Sequence, residues 1–248
     1  MDPQGNSPMD LSLGKTWVYG WSWLVADSSG QTLTAETDTF QVRIASIHDT
    51  LNNFSGLIRV EAQSIPHFHG VAKVWYQLTG SSLVEIAYDS AGVTPVVLPK
   101  WSDKAASGSG IVWPVFSLFP KSIQTLANSR GIQDSIRFRD DIRKVYEFPL
   151  SAGKTWISFS FPFLETREIV GSELLERAGH IFSCAKIKTM LPSLDPNIEW
   201  YDDVAYEGLI ERQIKYTGEV TTIEQPDGTG EILFSTESLT LISIEEPL

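Results

Sequence analysis

The sequence predicts an all-β protein made of two homologous antiparallel lobes, each a strongly curved half-barrel sheet, arising from an internal duplication and joined by an aromatic connector. Three observations carry this expectation. Aromatic and β-branched residues alternate with polar ones along most of the chain, the pattern of half-buried antiparallel strands. Short segments recur in one order: Gly14-Lys15-Thr16-Trp17 returns as Gly153-Lys154-Thr155-Trp156, Phe54-Ser55 as Phe182-Ser183, Trp75-Tyr76 as Trp200-Tyr201, and Leu83-Val84-Glu85 as Leu209-Ile210-Glu211. The spacing between copies drifts only slightly, as when loops vary while strands persist. Residues 99–147 break the alternation with Pro99, the run Ser107-Gly108-Ser109-Gly110, and the aromatic stretch from Trp113 to Pro120.

The chain divides accordingly into a first lobe at 1–98, a connector at 99–147 and a second lobe at 148–248. In the first lobe, strands are expected near 15–25, 38–47, 54–64, 70–79 and 82–89. The second lobe should carry strands near 154–163, 166–176, 181–190, 197–203, 207–217, 219–224, 230–235 and 237–245. Turns fall where Gly, Asp, Asn and Pro cluster, as at Asp27-Ser28-Ser29-Gly30, Leu51-Asn52-Asn53 and Pro226-Asp227-Gly228. The connector carries too much apolar surface for a flexible linker, so it should pack across the lobes, with a short helix near 120–130.

With 19 basic against 31 acidic side chains, the 248-residue chain has a net charge of −12, which disfavours a nucleic-acid partner. The one basic concentration, Arg137, Arg139, Arg143 and Lys144, is interrupted by Asp140 and Asp141 and reads as a solvated mixed face. Cys184 is the only cysteine, so no intramolecular disulfide can form, and its alternating apolar surroundings suit a small packed hydrophobe. No apolar run is long enough for a transmembrane segment. The polar start, Met1 to Pro8, lacks the basic and apolar parts of a signal peptide, although such a tail is also what remains when a signal or lipid-attachment segment is removed.

Candidate chemistry is sparse. The two Gly-Lys-Thr triplets lack the earlier glycine of a phosphate-binding loop, since Met9 and Phe148 stand there, and strands rather than helices follow. They read as tight turns with Gly supplying the backbone angles, Lys in water and Trp in the core. His67 and His69 sit at the alternate spacing of two zinc ligands, but no third ligand is placed; His48, Asp49 and His180 are the candidates. The Gly-x-Ser-x-Gly elbow is missing, and adjacent acids such as Asp202-Asp203 point to opposite faces of a strand. No catalytic residue, metal or cofactor is therefore expected.

Trp17, Tyr19, Trp21 and Trp23 occupy alternate positions, so one strand carries a stripe of four rings. Core packing is the first use of such a stripe, and a platform for a ligand is the second. With Trp113 and Phe116 of the connector, these four are the candidate ligand-binding residues.

The Gly-Lys-Thr-Trp openings, the run Leu83 to Tyr88 leading into Pro95-Val96-Val97-Leu98-Pro99, and the series Phe148-Pro149-Leu150, Gly153, Trp156, Phe182-Ser183-Cys184 and Trp200-Tyr201 resemble exported bacterial β-rich domains of unknown function. That resemblance implies a half-barrel shape like that of lipoprotein carriers, and a periplasmic, cell-surface or secreted location, often as a lipoprotein. It supplies no catalytic residues. The expected function is a non-catalytic, envelope-associated or secreted protein that binds an apolar or glycan-like ligand, or an envelope protein partner, in a sheet concavity. The alternatives are a hydrolase acting on envelope material with carboxylates at the lobe interface, and a purely structural subunit.

Overall fold

The computed structural model describes residues 8–65, 71–89, 136–160, 164–192, 198–220 and 231–247. Twelve strands form: β1 Thr16–Asp27, β2 Thr32–Leu51, β3 Phe54–Ser64, β4 Ala72–Thr79, β5 Ser82–Asp89, β6 Arg137–Glu147, β7 Thr155–Phe159, β8 Glu165–Arg177, β9 His180–Met190, β10 Ile198–Ala205, β11 Gly208–Val220 and β12 Glu231–Glu245. Among the described residues there is no helix. The region expected as two strands, 230–235 and 237–245, is the single strand β12, and β11 runs on to Val220. Arg137–Glu147, the end of the stretch expected as connector, is β6; residues 99–135, with the helix expected near 120–130, lie outside the described residues.

All twelve strands belong to one antiparallel sheet in the order β6-β5-β4-β3-β2-β1-β12-β11-β10-β9-β8-β7. The two halves of the chain, β1–β6 and β7–β12, therefore meet by strand pairing, with β1 hydrogen-bonded along its length to β12. A shared sheet joins the two halves, while residues 99–135 of the connector expected to pack across them lie outside the described residues. β6 and β7 close the circle from the other side. Trp156 Nε1 donates to the Lys144 carbonyl at 3.2 Å, and Arg167 Nη1 donates to the Val145 carbonyl at 3.0 Å. The sheet is thus a nearly closed barrel.

Closure needs curvature, and bulges supply it by adding a residue to one strand and increasing the local twist. Register shifts occur between Val18 and Tyr19, repeatedly along β2, opposite Ile86 on β5, at Val170 on β8 and at Ile210 on β11. Alternation then fills the interior. Trp17, Tyr19, Trp21 and Trp23 are buried, while Ser22 between them and Leu24 just after them are exposed. One apolar core runs through both halves and includes Trp17 and Trp156 together.

The two Gly-Lys-Thr-Trp turns are built alike. Gly14 N donates to Ile44 O at 2.9 Å and Gly153 N to Ile169 O at 2.8 Å, while Ile44 N and Ile169 N return to Lys15 O and Lys154 O at 3.0 and 2.9 Å. Both glycines have positive φ, +87° and +81°, which a side chain would strain. Lys15, however, is not in water, and Lys154 is only half-exposed. Lys15 is fully buried and donates to Asp10 Oδ2 at 2.5 Å, and Lys154 donates to Phe148 O at 2.7 Å. Each other repeated segment also falls on a strand of the same rank in its half, Trp75 on β4 and Trp200 on β10. Their surroundings differ, since Trp75 packs with Leu57, Val84, Ile86 and Ala87, and Trp200 with Leu191 and Ile214.

Candidate functional site

The four rings of β1 are committed to the fold. Trp17 Nε1 donates to Glu207 O at 2.8 Å, Tyr19 Oη to Leu209 O at 2.8 Å, Trp21 Nε1 to Glu237 Oε1 at 2.9 Å, and Trp23 Nε1 to Ser235 Oγ at 2.8 Å. Gly208 makes the first of these contacts possible, because a Cβ there would sit 3.3 Å from Trp17 Nε1. Buried aromatic rings with their polar atoms satisfied are core packing, the first use expected of the stripe. Trp113 and Phe116 lie outside the described residues, as do His67 and His69. His48 and His180 are exposed, and Asp49 accepts from Trp75 Nε1 at 2.9 Å. Among the described residues no cluster of three or more His, Cys, Asp or Glu side chains is arranged to hold a metal ion.

The concentration of chemistry lies elsewhere, on the barrel wall made by β6, β8, β9, β10 and β11. Antiparallel register places Arg167, Thr189, Trp200 and Ile214 in one cross-strand row, and Ile169, Ile187, Asp202 and Arg212 in the next. The second row continues through Leu239 to Trp21, so it faces the barrel interior. Arg212 grips Asp202 with two parallel bonds, Nε to Oδ1 at 2.6 Å and Nη2 to Oδ2 at 2.7 Å. Trp200 Nε1 adds a third donor to Oδ1 at 2.9 Å. The Arg212 guanidinium lies 4.3 Å from the Trp200 ring centroid, and that of Arg167 lies 5.9 Å from it. Such stacking suits a flat, weakly hydrated cation.

A second ion pair abuts the first. Arg143 Nη2 donates to both oxygens of Glu165 at 2.8 and 2.6 Å, and Arg167 Nε donates to Oε1 at 3.1 Å. Burial pushes the Glu165 carboxyl up, but Arg143 and Arg167 outweigh it and hold it down at about 2. Arg143 was expected on a solvated face; it is buried, with Glu85 of β5 as its buried cross-strand neighbour. Tyr146 beside it on β6 has its phenol raised by burial and by Asp202. Glu237, also buried, is pushed up to about 7 by burial, against the pull of Trp21 and Arg212.

Four buried polar atoms of this cluster have no hydrogen-bond partner: Arg167 Nη2, Arg212 Nη1, Tyr146 Oη and Thr189 Oγ1. Glu165 and Asp202 are held by guanidiniums, whereas these donors have no acceptor.

Asp203, next to Asp202, belongs to a different cluster with Glu173, Lys186, Glu211 and Arg177. Lys186 Nζ donates to Glu173 Oε1 at 2.7 Å, and Arg177 Nε donates to Glu211 Oε2 at 2.9 Å. Burial first, and the hydrogen bond to Glu173 second, raise the Asp203 carboxyl to about 7. Nearby Cys184 is buried, and its thiol is pushed up to about 12 by burial and by the surrounding acids.

The aromatic stripe was legible as a pattern, but the arginine cluster was missed. Its signal was parity: Arg167 stands two residues before Ile169, Asp202 two after Trp200, and Arg212 two before Ile214, so each charge shares the inward face of its strand.

No protein-family model matches the chain, and neither does any curated protein. Among solved structures, a Bacteroides fragilis protein provisionally described as exported, with a YmcC-like fold, aligns over 95% of this chain and 97% of its own at 11% identity and a TM-score of 0.37. That likeness is too loose to carry a function across.

Proposed function

We propose that this chain is a non-catalytic, extracytoplasmic binding protein, descended from a duplicated half-barrel, that takes up a glycan-like or acyl ligand against the barrel interior. The observation that carries the reading is the mismatch inside the barrel, where Glu165 and Asp202 are locked by arginines while Arg167, Arg212, Tyr146 and Thr189 keep donors without acceptors. Buried donors are left unpaired at a cost of about 1 to 3 kcal/mol each unless a ligand or water accepts from them. A bound oxygen-rich group removes that cost. The duplication is supported by the matching hydrogen bonds of the two Gly-Lys-Thr-Trp turns.

Native mass spectrometry of the protein purified from its own host tests this reading. The expected result is a retained mass matching an oligosaccharide or acyl compound and released by denaturation. A chain that flies bare in every preparation, and whose melting no lipid or glycan shifts, sinks the reading.

One observation favours a hydrolase instead. Asp203, its carboxyl raised to about 7 beside a Glu173 held below the usual range, has the contrast a general acid and its partner carboxylate need. Hydrolysis of an envelope glycan that disappears in Asp203→Asn would put the enzyme ahead; no turnover is expected.

A further inference from the structure

The four unpartnered atoms share one chemistry. Arg212 spends Nε and Nη2 on Asp202, which leaves Nη1 at the far end of the fork. Arg167 spends Nε on Glu165 and Nη1 on the Val145 carbonyl, which leaves Nη2. Both guanidiniums lie against the same Trp200 ring, and Thr189 is the cross-strand neighbour of both Arg167 and Trp200. Tyr146 lies within the electrostatic reach of Arg167, Arg212 and Asp202. All four residues are at least 99% buried.

Guanidinium N–H groups can only donate, and the two hydroxyls can donate as well. A water placed among them would bring two further donors to a spot already short of acceptors. An anion brings acceptors alone. We propose that the barrel interior contains a binding site for a single small anion of carboxylate or halide type, held by Arg167 Nη2 and Arg212 Nη1 and completed by the hydroxyls of Tyr146 and Thr189. The charges facing the site are Arg143, Arg167 and Arg212 against Glu165 and Asp202, with Glu85 beside Arg143 and Glu237 beside Arg212. The carboxylates are turned to their own arginines, so the open ends of the forks present positive charge. This site does not require the ligand-binding function proposed above, because a free anion serves as well as the headgroup of a larger ligand.

The test is thermal melting of the full chain at constant ionic strength with bromide, formate, acetate or octanoate, comparing wild type with Tyr146→Phe and Thr189→Val. These substitutions remove only a hydroxyl or exchange it for a methyl, so they keep the fold, and comparison with wild type cancels general salt effects. Saturable stabilisation by bromide or the short carboxylates is expected, with roughly tenfold weaker binding in Tyr146→Phe, the loss of one hydrogen bond to a charge. Bromide-soaked crystals should show an anomalous peak within hydrogen-bonding distance of both arginines. Octanoate binding more tightly than acetate identifies the anion as the headgroup of an acyl ligand, and equal binding identifies a free anion. Equal responses in wild type and both variants, with an ordered water in place of bromide, overturn the proposal.

Discussion

Asp202 and Asp203 are neighbours on β10, yet the sheet sends them into opposite circumstances. Asp202 faces the barrel interior and is gripped by Arg212, while Asp203 faces away from it and shares a proton-binding environment with Glu173. Both are buried. What differs is which partners the register brings to each. On the inner face the cross-strand neighbour of Asp202 is Arg212, and on the other face that of Asp203 is Glu211. Two arginines hold the inner carboxyl of Glu165 down at about 2, whereas burial first and the hydrogen bond to Glu173 second raise Asp203 to about 7. Glu165 is thereby fixed as an anion, whereas Asp203 on the outer face and Glu237 on the inner one can titrate.

Removing the inner acid should have the largest effect. Asp202→Ala leaves Arg212, and partly Arg167, as uncompensated buried cations, which costs about 3 to 5 kcal/mol. Chemical denaturation of the variant measures this. A loss below about 1 kcal/mol, the range of exposed pairs, would mean that water reaches the Asp202 side and that the contrast with Asp203 is one of geometry only.

Acid and base titration separates Glu165 from Asp203 next, because their signs differ. Glu165, held down at about 2, contributes stability present above its ordinary pKa and lost as pH falls from about 4.5 to 2. Asp203, raised to about 7, acts in the other direction: the folded state binds its proton more tightly, so stability is lost as pH rises from its ordinary pKa of 3.8 to about 7. Glu237, also raised to about 7, adds to that loss. Asp203→Asn should therefore flatten part of the fall and be more stable than wild type at pH 8, by about 1 kcal/mol after allowance for solvent near the group. Melting curves of both proteins from pH 3 to 9 check it. An unchanged slope between pH 4 and 7 would place Asp203 among ordinary carboxylates and remove the observation behind the hydrolase reading.

Much of the fold could be read from alternation, because strands with one buried face write it plainly at period two. The stripe Trp17 to Trp23 shows this, with rings buried at alternate positions as the pattern requires. The single shared sheet was not legible, since the pairing of β1 with β12 joins segments about as far apart in the chain as any two can be. The inner cluster was hidden for a different reason. Arg143, Arg167 and Arg212 are polar residues on apolar faces, and a reading that treats charge as solvated surface passes over them. Lys15 was misplaced in the same way, since Asp10 lies close enough in sequence to hold its ammonium, which also lies 5.9 Å from the Trp17 ring centroid. In each case the partner, not the residue, makes burial tolerable, and partners on distant strands cannot be seen along the chain.

The smallest effect belongs to the rim of the outer cluster. Lys186 bonds Glu173 at 2.7 Å, but each side chain keeps 37% of its surface exposed, so the pair is screened by water and salt. Lys186→Met keeps an aliphatic stem and removes the ammonium, which bonds Glu173 and lies 5.7 Å from the Tyr201 ring centroid. Its direct cost should be at most about 1 kcal/mol and should shrink as salt is added. An indirect effect should accompany it, since Lys186 is the cation that opposes protonation of Asp203. Without it the midpoint of the pH-dependent loss should move further up, which carboxyl chemical shifts followed by NMR would report. A midpoint that stays in place would show that Glu173 alone governs Asp203, and that the difference between the two faces of β10 rests on the acid pair without help from its surface cation.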